Sequence, residues 1–348
     1  MRDTLLRLTV EQSADVPAAG LATMVKAIVA ADKDLSESDK RHLTVIRGNA
    51  ELRQGNSDLA ESLFDQALMI DTDDYLTIWL RGRCKEVTRR FDSAIEDCEK
   101  SLELKPDFPA AMLSLAAIYV EKGDFDEASR WMEKIDMLDE HCDERWEYFV
   151  RAVMALKLRK LPDAVEYADK SLAGDDQFLF VPLDKILMTK AIANLSSGQS
   201  AAAKDAIRQV LSFQPSNPQA LQMMWSIHNQ AGDHLAAYMF AKHLVKVDEK
   251  NEKFHLLEMR SLLQLRQIAA AEQVALQILK INPDNVESKT LLEKLQAAKT
   301  RKKLNENAPA KEEQDAKQPE QPNLDQNNPT DPDAAKNVDI LVADPKPQ

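Results

Sequence analysis

Residues 75–108 read YLTIWLRGRCKEVTRRFDSAIEDCEKSLELKPDF, and the placement of four residues in this stretch decides the fold. Gly82 stands in its first half, Ala94 twelve residues later, Ser101 seven beyond that and Pro106 five further on. The same ladder recurs along the chain. It appears as Ala116, Ala128 and Ile135, with Glu140 where proline would sit; as Ala191, Ala203, Val210 and Pro215; and as Met259, Ala271, Ile278 and Pro283. Small side chains at these intervals let two antiparallel helices approach closely, and the proline ends the second helix before the next unit begins. On this register the units are 41–74, 75–108, 109–142, 145–178, 184–217, 218–251 and 252–285, with two extra residues before the fourth and five, Leu179 to Leu183, before the fifth.

A period near 34 residues with this pattern resembles the tetratricopeptide repeat family. The resemblance covers 245 of the 348 residues. In the turn between paired helices, Gly55-Asn56, Gly123-Asp124-Phe125 and Gly232-Asp233 match the family's glycine followed by a polar residue. Arg81, Lys190 and Glu258 depart from it, standing in a first-helix place that the family usually gives to leucine. The resemblance implies an all-α, right-handed α-solenoid of about seven helix pairs.

Composition agrees: 44% hydrophobic and 30% charged with only 8 glycines favours long regular helices, and no alternating β-branched run supports a sheet. Each repeat in a stack buries its apolar faces against its neighbours, so one repeat domain over 41–285 is expected rather than two globular ones. Residues 1–40 read as N-terminal capping helices, because Leu21, Met24, Val25, Ile28 and Val29 place an amphipathic helix near 20–33, with Leu5 to Val10 as its potential partner. Residues 286–304 read as a C-terminal capping helix, carrying Leu291, Leu292 and Leu295 opposite a charged face. From 305 to 348 the chain turns acidic and rich in Pro, Gln and Asn, without an aromatic residue, and is expected to be disordered. Val338 to Val342 is a short apolar patch within it, open to reading as a docking motif, as a segment that folds back onto the solenoid, or as incidental.

Several function classes are excluded at this level. A net charge of −13 argues against nucleic acid and anionic membrane surfaces, and no stretch approaches transmembrane length. The N-terminal apolar run is broken at Arg7 and Glu11, too soon for a secretory signal, so a cytoplasmic location is expected. Cys84, Cys98 and Cys142 lack metal-site spacing; Cys98 occupies a core-facing place and reads as a small buried apolar residue. No phosphate loop, nucleophile elbow or zinc-binding helix motif is found. Neither catalytic residues nor a cofactor or metal is expected, and the chain reads as a non-enzyme.

Function then belongs to surfaces. In the family, the first helices of successive repeats line a concave groove that holds a peptide or partner helix. Carried over by register, the groove candidates are Trp79, Arg83, Leu113, Val120, Trp146, Phe149, Val153, Met188, Ile192 and Leu195, with a polar end at Gln222, Ser226 and Asn229. A tryptophan in such a place either meets a partner or packs on the next helix, and the apolar insertion 178–183 either leaves the groove open or covers it. The family's carboxylate clamp is not reproduced: Asn49 matches one place, but Val45, Leu80 and Ser114 stand in others. The expected role is an interaction scaffold or adaptor with a protein or peptide partner. The alternatives are an assembly or regulatory subunit that associates through its convex face or with itself, and an accessory region of a larger system.

Overall fold

The computed structural model describes residues 8–9, 16–31, 34–138, 144–174 and 181–306. Every regular element among them is an α-helix. The chain divides into two units, Met1–Glu293 and Lys294–Gln348, and all the repeats lie in the first. A leading helix α1 (Ala18–Ala31) is followed by seven antiparallel pairs. These are α2 and α3 (Glu37–Arg53, Ser57–Leu68), α4 and α5 (Tyr75–Val87, Phe91–Leu104), α6 and α7 (Pro109–Lys122, Phe125–Asp136), and α8 and α9 (Glu144–Lys157, Leu161–Ala173). Then come α10 and α11 (Leu183–Ser196, Ser200–Phe213), α12 and α13 (Pro218–Gln230, His234–Val247), and α14 and α15 (Glu252–Gln264, Ile268–Ile281). The last helix, α16, runs Val286–Glu306.

Each pair is closed by one left-handed residue at the same place in its unit. Gly55, Gly123, Gly198 and Gly232 hold φ between 75° and 83°, and Arg89, Arg159 and Arg266 hold φ between 57° and 59°. Glycine adopts this conformation freely, whereas an arginine there carries a steric cost of roughly 1–2 kcal/mol. The turn geometry is therefore set by the packing of the two helices, and the three arginines conform to it.

Close approach explains the small residues. Ala60, Ala94, Ala128, Ala164, Ala203, Ala237 and Ala271 share one place in the second helix and are all fully buried. A Cβ at Gly82 would lie 3.1 Å from the Cβ of Asp97, and one at Gly48 would lie 2.6 Å from the Phe64 ring. Seven places after the conserved-spacing alanine, Ser101 and Ser171 are also buried. Each donates its hydroxyl to a carbonyl in the first turn of its own pair, Tyr75 at 2.8 Å and Arg145 at 2.6 Å, so a polar side chain substitutes for an apolar one without an unpaired group.

The ends differ from expectation by a few residues. α2 begins at Glu37, not at 41, because Ser36 and Asp39 form a capping box: Asp39 N donates to Ser36 Oγ at 3.1 Å and Ser36 N to Asp39 Oδ2 at 3.4 Å. Leu21 and Val25 of α1 are buried against Leu43, Ile46 and Ala50 of α2, and the Leu8 carbonyl accepts from His42 Nε2 at 2.9 Å. At the other end Leu291 and Leu292 pack on Met259, Leu262 and Ile278. Cys84 and Cys98 are fully buried; burial pushes the Cys84 thiol up to about 12 and raises that of Cys98 as well. Cys142, the segment Phe178 to Phe180 and the tail beyond 306, including Val338 to Val342, lie outside the described residues.

Candidate protein-binding groove

The charged departures from the repeat pattern are struts between helices. Arg81 on α4 grips both oxygens of Asp97 at 2.6 and 3.0 Å and reaches Asp65 on the preceding α3 at 3.0 Å. Lys190 on α10 reaches back to Asp169 on α9 at 2.5 Å. Arg151, in the same place of the fourth unit, reaches back to Asp136 on α7 at 2.6 Å and also holds Glu147 at 2.9 Å. A leucine there would bury apolar area between repeats; these cations join neighbouring repeats by charge instead. Glu258 differs, lying 4.0 Å from His255 with its carboxyl raised mainly by burial.

The ten groove candidates fall into two sets. Trp79 and Leu113 are fully covered, and Val120, Trp146, Arg83 and Met188 are nearly so. The Trp79 ring stands edge-on to Phe108 at 5.4 Å and lies 6.4 Å from Trp146, and its Nε1 donates to Ser114 Oγ at 2.9 Å. The Arg83 guanidinium sits 4.4 Å over the Trp146 ring and pairs with Glu86. The indole is thus paired with a hydroxyl and the guanidinium with a carboxylate inside the chain. Trp79, Leu113, Val120 and Trp146 belong to the apolar core shared by the first four repeats. These residues are packed inside the chain rather than left accessible.

The other four remain accessible. Phe149 and Val153, one turn apart on α8, are half-buried, as is Leu195 on α10, and Ile192 is 37% exposed. Met188, at 7% exposure, belongs to the core cluster on which Leu195 packs. On α12 the row turns polar, where Gln222, Ser226 and Asn229 are all half-buried. The arrangement offers an apolar strip on adjacent first helices, walled by the aromatic cluster at one end and wetter at the other. Among the described residues no group of three His, Cys, Asp or Glu side chains is placed to hold a metal, and no helix is long and apolar enough to cross a membrane.

A family model described as tetratricopeptide repeat matches residues 88–152, the stretch from the end of α4 into α8. The repeats are tetratricopeptide repeats. This tetratricopeptide chain is 30% identical over 135 residues to human DnaJ homolog subfamily C member 7, covering 37% of itself and 27% of that protein. It is 23% identical over 247 residues to human DnaJ homolog subfamily C member 3, covering 68% and 48% respectively. To the tetratricopeptide repeat and J domain-containing co-chaperone DNJ1 of Fusarium oxysporum it is 33% identical over 115 residues, covering 32% and 22%. The chain thus spans less than half the length of these curated relatives. Among solved structures, the Cut9–Hcn1 hetero-tetramer of the APC/C aligns with a TM-score of 0.57 at 14% identity, over 84% of this chain and 54% of that one. The human IFIT1 dimer with m7Gppp-AAAA aligns with a TM-score of 0.55 at 14% identity, over 83% and 69%. At such identity these two likenesses concern the fold alone.

Proposed function

We propose that this chain is a non-enzymatic scaffold that holds an apolar segment of a protein partner, extended or helical, against the first helices of its fourth and fifth repeats. The observation that carries this reading is the accessible strip of Phe149, Val153, Ile192 and Leu195 between the sealed aromatic wall and the polar face of α12. An apolar strip in a concavity is where a partner's side chains gain most from leaving water. The similarity to DnaJ-subfamily proteins and to a co-chaperone suggests the kind of partner: polypeptide not yet in its folded state, met in the cytoplasm.

The test uses reduced, carboxymethylated α-lactalbumin as a permanently unfolded probe, titrated into the full chain by fluorescence anisotropy. Changing Val153→Ser together with Ile192→Ser is expected to weaken binding at least ~10-fold, about 1.4 kcal/mol, with the helical circular dichroism unchanged. Equal binding by the double variant would remove the groove from consideration. A second reading, association through the outer surface, is favoured by Leu235 and Met239, which are 61% and 65% exposed one turn apart on α13. Sedimentation velocity separates the two: a mass that rises with concentration, and falls back in Met239→Glu, supports assembly.

A further inference from the structure

Among the described residues, one step in the stack is open. α3 packs along α4, α5 along α6, α9 along α10, α11 along α12 and α13 along α14, whereas α7 and α8 scarcely meet. Two adjoining hollows of about 270 and 230 Å³ occupy the resulting cleft, lined by α7, α8 and α9 and sharing Asp136, Arg151 and Tyr167. The Arg151–Asp136 pair is the strut described above, and it crosses this cleft.

The chemistry of the lining is one-sided. Five carboxylates, Glu133, Asp136, Glu144, Glu147 and Asp163, face two cations, Arg151 and Lys160. Arg151 is already committed to Asp136 and Glu147. Glu133, Glu144 and Asp163 have no cation within ion-pair distance among the described residues. Two further features complete the surroundings of the cleft. The rings of Tyr148 and Tyr167 lie nearly parallel, 18° apart with centroids at 6.3 Å, and the chain's own Lys170 places its ammonium 5.7 and 5.6 Å from their centroids. Aromatic faces in this disposition attract cations. In the second hollow Met154 and Leu158 supply an apolar floor, Leu158 at 36% exposure.

We infer that this cleft is a second docking site, for a segment of a protein partner that carries Lys or Arg beside an apolar residue. The cation enters the larger hollow, meets Glu144 and Asp136, and rests its stem on the tyrosines; the apolar neighbour covers Met154 and Leu158. A partner of opposite sign would set its carboxylates against three unneutralised ones. Adaptable Met and amphipathic Tyr suit a segment whose exact side chains vary. None of the lining residues is a groove residue named above, and the inference stands independently of the proposed function.

The experiment uses the full chain and two fluorescein-labelled peptides of equal length, one of Lys and Leu and one of Glu and Leu, followed by anisotropy. The cleft variant is Glu133→Gln, Glu144→Gln, Asp163→Asn; the charge-matched control is Glu96→Gln, Glu99→Gln, Glu103→Gln on the exposed face of α5. The Lys-Leu peptide is expected to bind the cleft variant at least ~10-fold more weakly and the control within about 2-fold of the unchanged chain, with the Glu-Leu peptide not binding. Equal weakening in both variants would mean that the peptide follows net charge alone and would overturn the inference. Loss of Lys-Leu binding in Val153→Ser, Ile192→Ser with none in the cleft variant would overturn it too, while leaving the groove reading intact.

Discussion

The second and third repeats and the fourth and fifth carry the same helix pair, yet they treat the groove side in opposite ways. In the former, Trp79 and Leu113 are wholly enclosed, and the polar atoms nearby are paired with Ser114, Glu86 and the Trp146 ring. In the latter, Phe149, Val153, Ile192 and Leu195 are left partly in contact with water. Residue size does not predict which side is available, since the largest aromatic is the one most completely covered. A tryptophan has enough surface to reach the next two helices, and burying it there is worth more than leaving it for a partner.

The largest test of this contrast is Trp79→Ala. Loss of the indole from the enclosed half should lower stability by about 3–5 kcal/mol in urea unfolding, while the fraction still folded binds unfolded α-lactalbumin normally. A stable Trp79→Ala chain that no longer binds would place the site in the enclosed half. Nearly as large is the expected protection of Cys84, which shares that core. With its thiol pushed up to about 12, against an ordinary thiol near 8.5, the native side chain at pH 8.5 should hold about three orders of magnitude less thiolate than in urea. Iodoacetamide labelling mapped by mass spectrometry reads this directly. The sign follows from the raised value: the unfolded chain releases the proton first, so the thiol's stabilising contribution is full below about 8.5 and lost as pH climbs through 12.

Smaller effects sharpen the comparison. In the open half, Val153→Ser with Ile192→Ser should cost only about 1 kcal/mol of stability for its tenfold loss of binding, the reverse of the Trp79 result. Ser114→Ala removes the acceptor of the Trp79 indole and should cost about 1 kcal/mol, with binding unchanged. The smallest change expected is in a turn away from both halves. Arg266 is held at φ 57°, and Arg266→Gly should raise stability by about 0.5–1 kcal/mol. Thermal unfolding measures it, and because no groove residue moves, any change in binding would show that the open half is coupled to the terminal repeats.

Much of the fold was legible because it is local and repeated. The interval from Gly82 to Ala94 to Ser101 specifies which faces of two helices meet, and every alanine at the second place is buried. The left-handed turn was legible only where glycine marks it; Arg89, Arg159 and Arg266 adopt the same φ without any signal of their own. The start of α2 was also written in the chain, as Ser36 with Asp39 three residues on, but the repeat period drew the boundary at 41 and hid it. Among the groove candidates, spacing grouped covered and accessible residues together, because both follow the same helical register.

Sequence by itself thus determined the helix pairs, their number and their order, since these depend on which small and apolar residues recur at which interval. Tertiary structure alone decided which groove residues are covered, that Arg81, Arg151 and Lys190 serve as struts, and that the step between the third and fourth repeats opens into a cleft. The physical reason is distance along the chain. Helix formation and pairing are governed by neighbours within one 34-residue unit, whereas exposure and charge pairing depend on side chains brought together from different units. Trp79 meets Ser114 and Trp146 only once the stack is assembled.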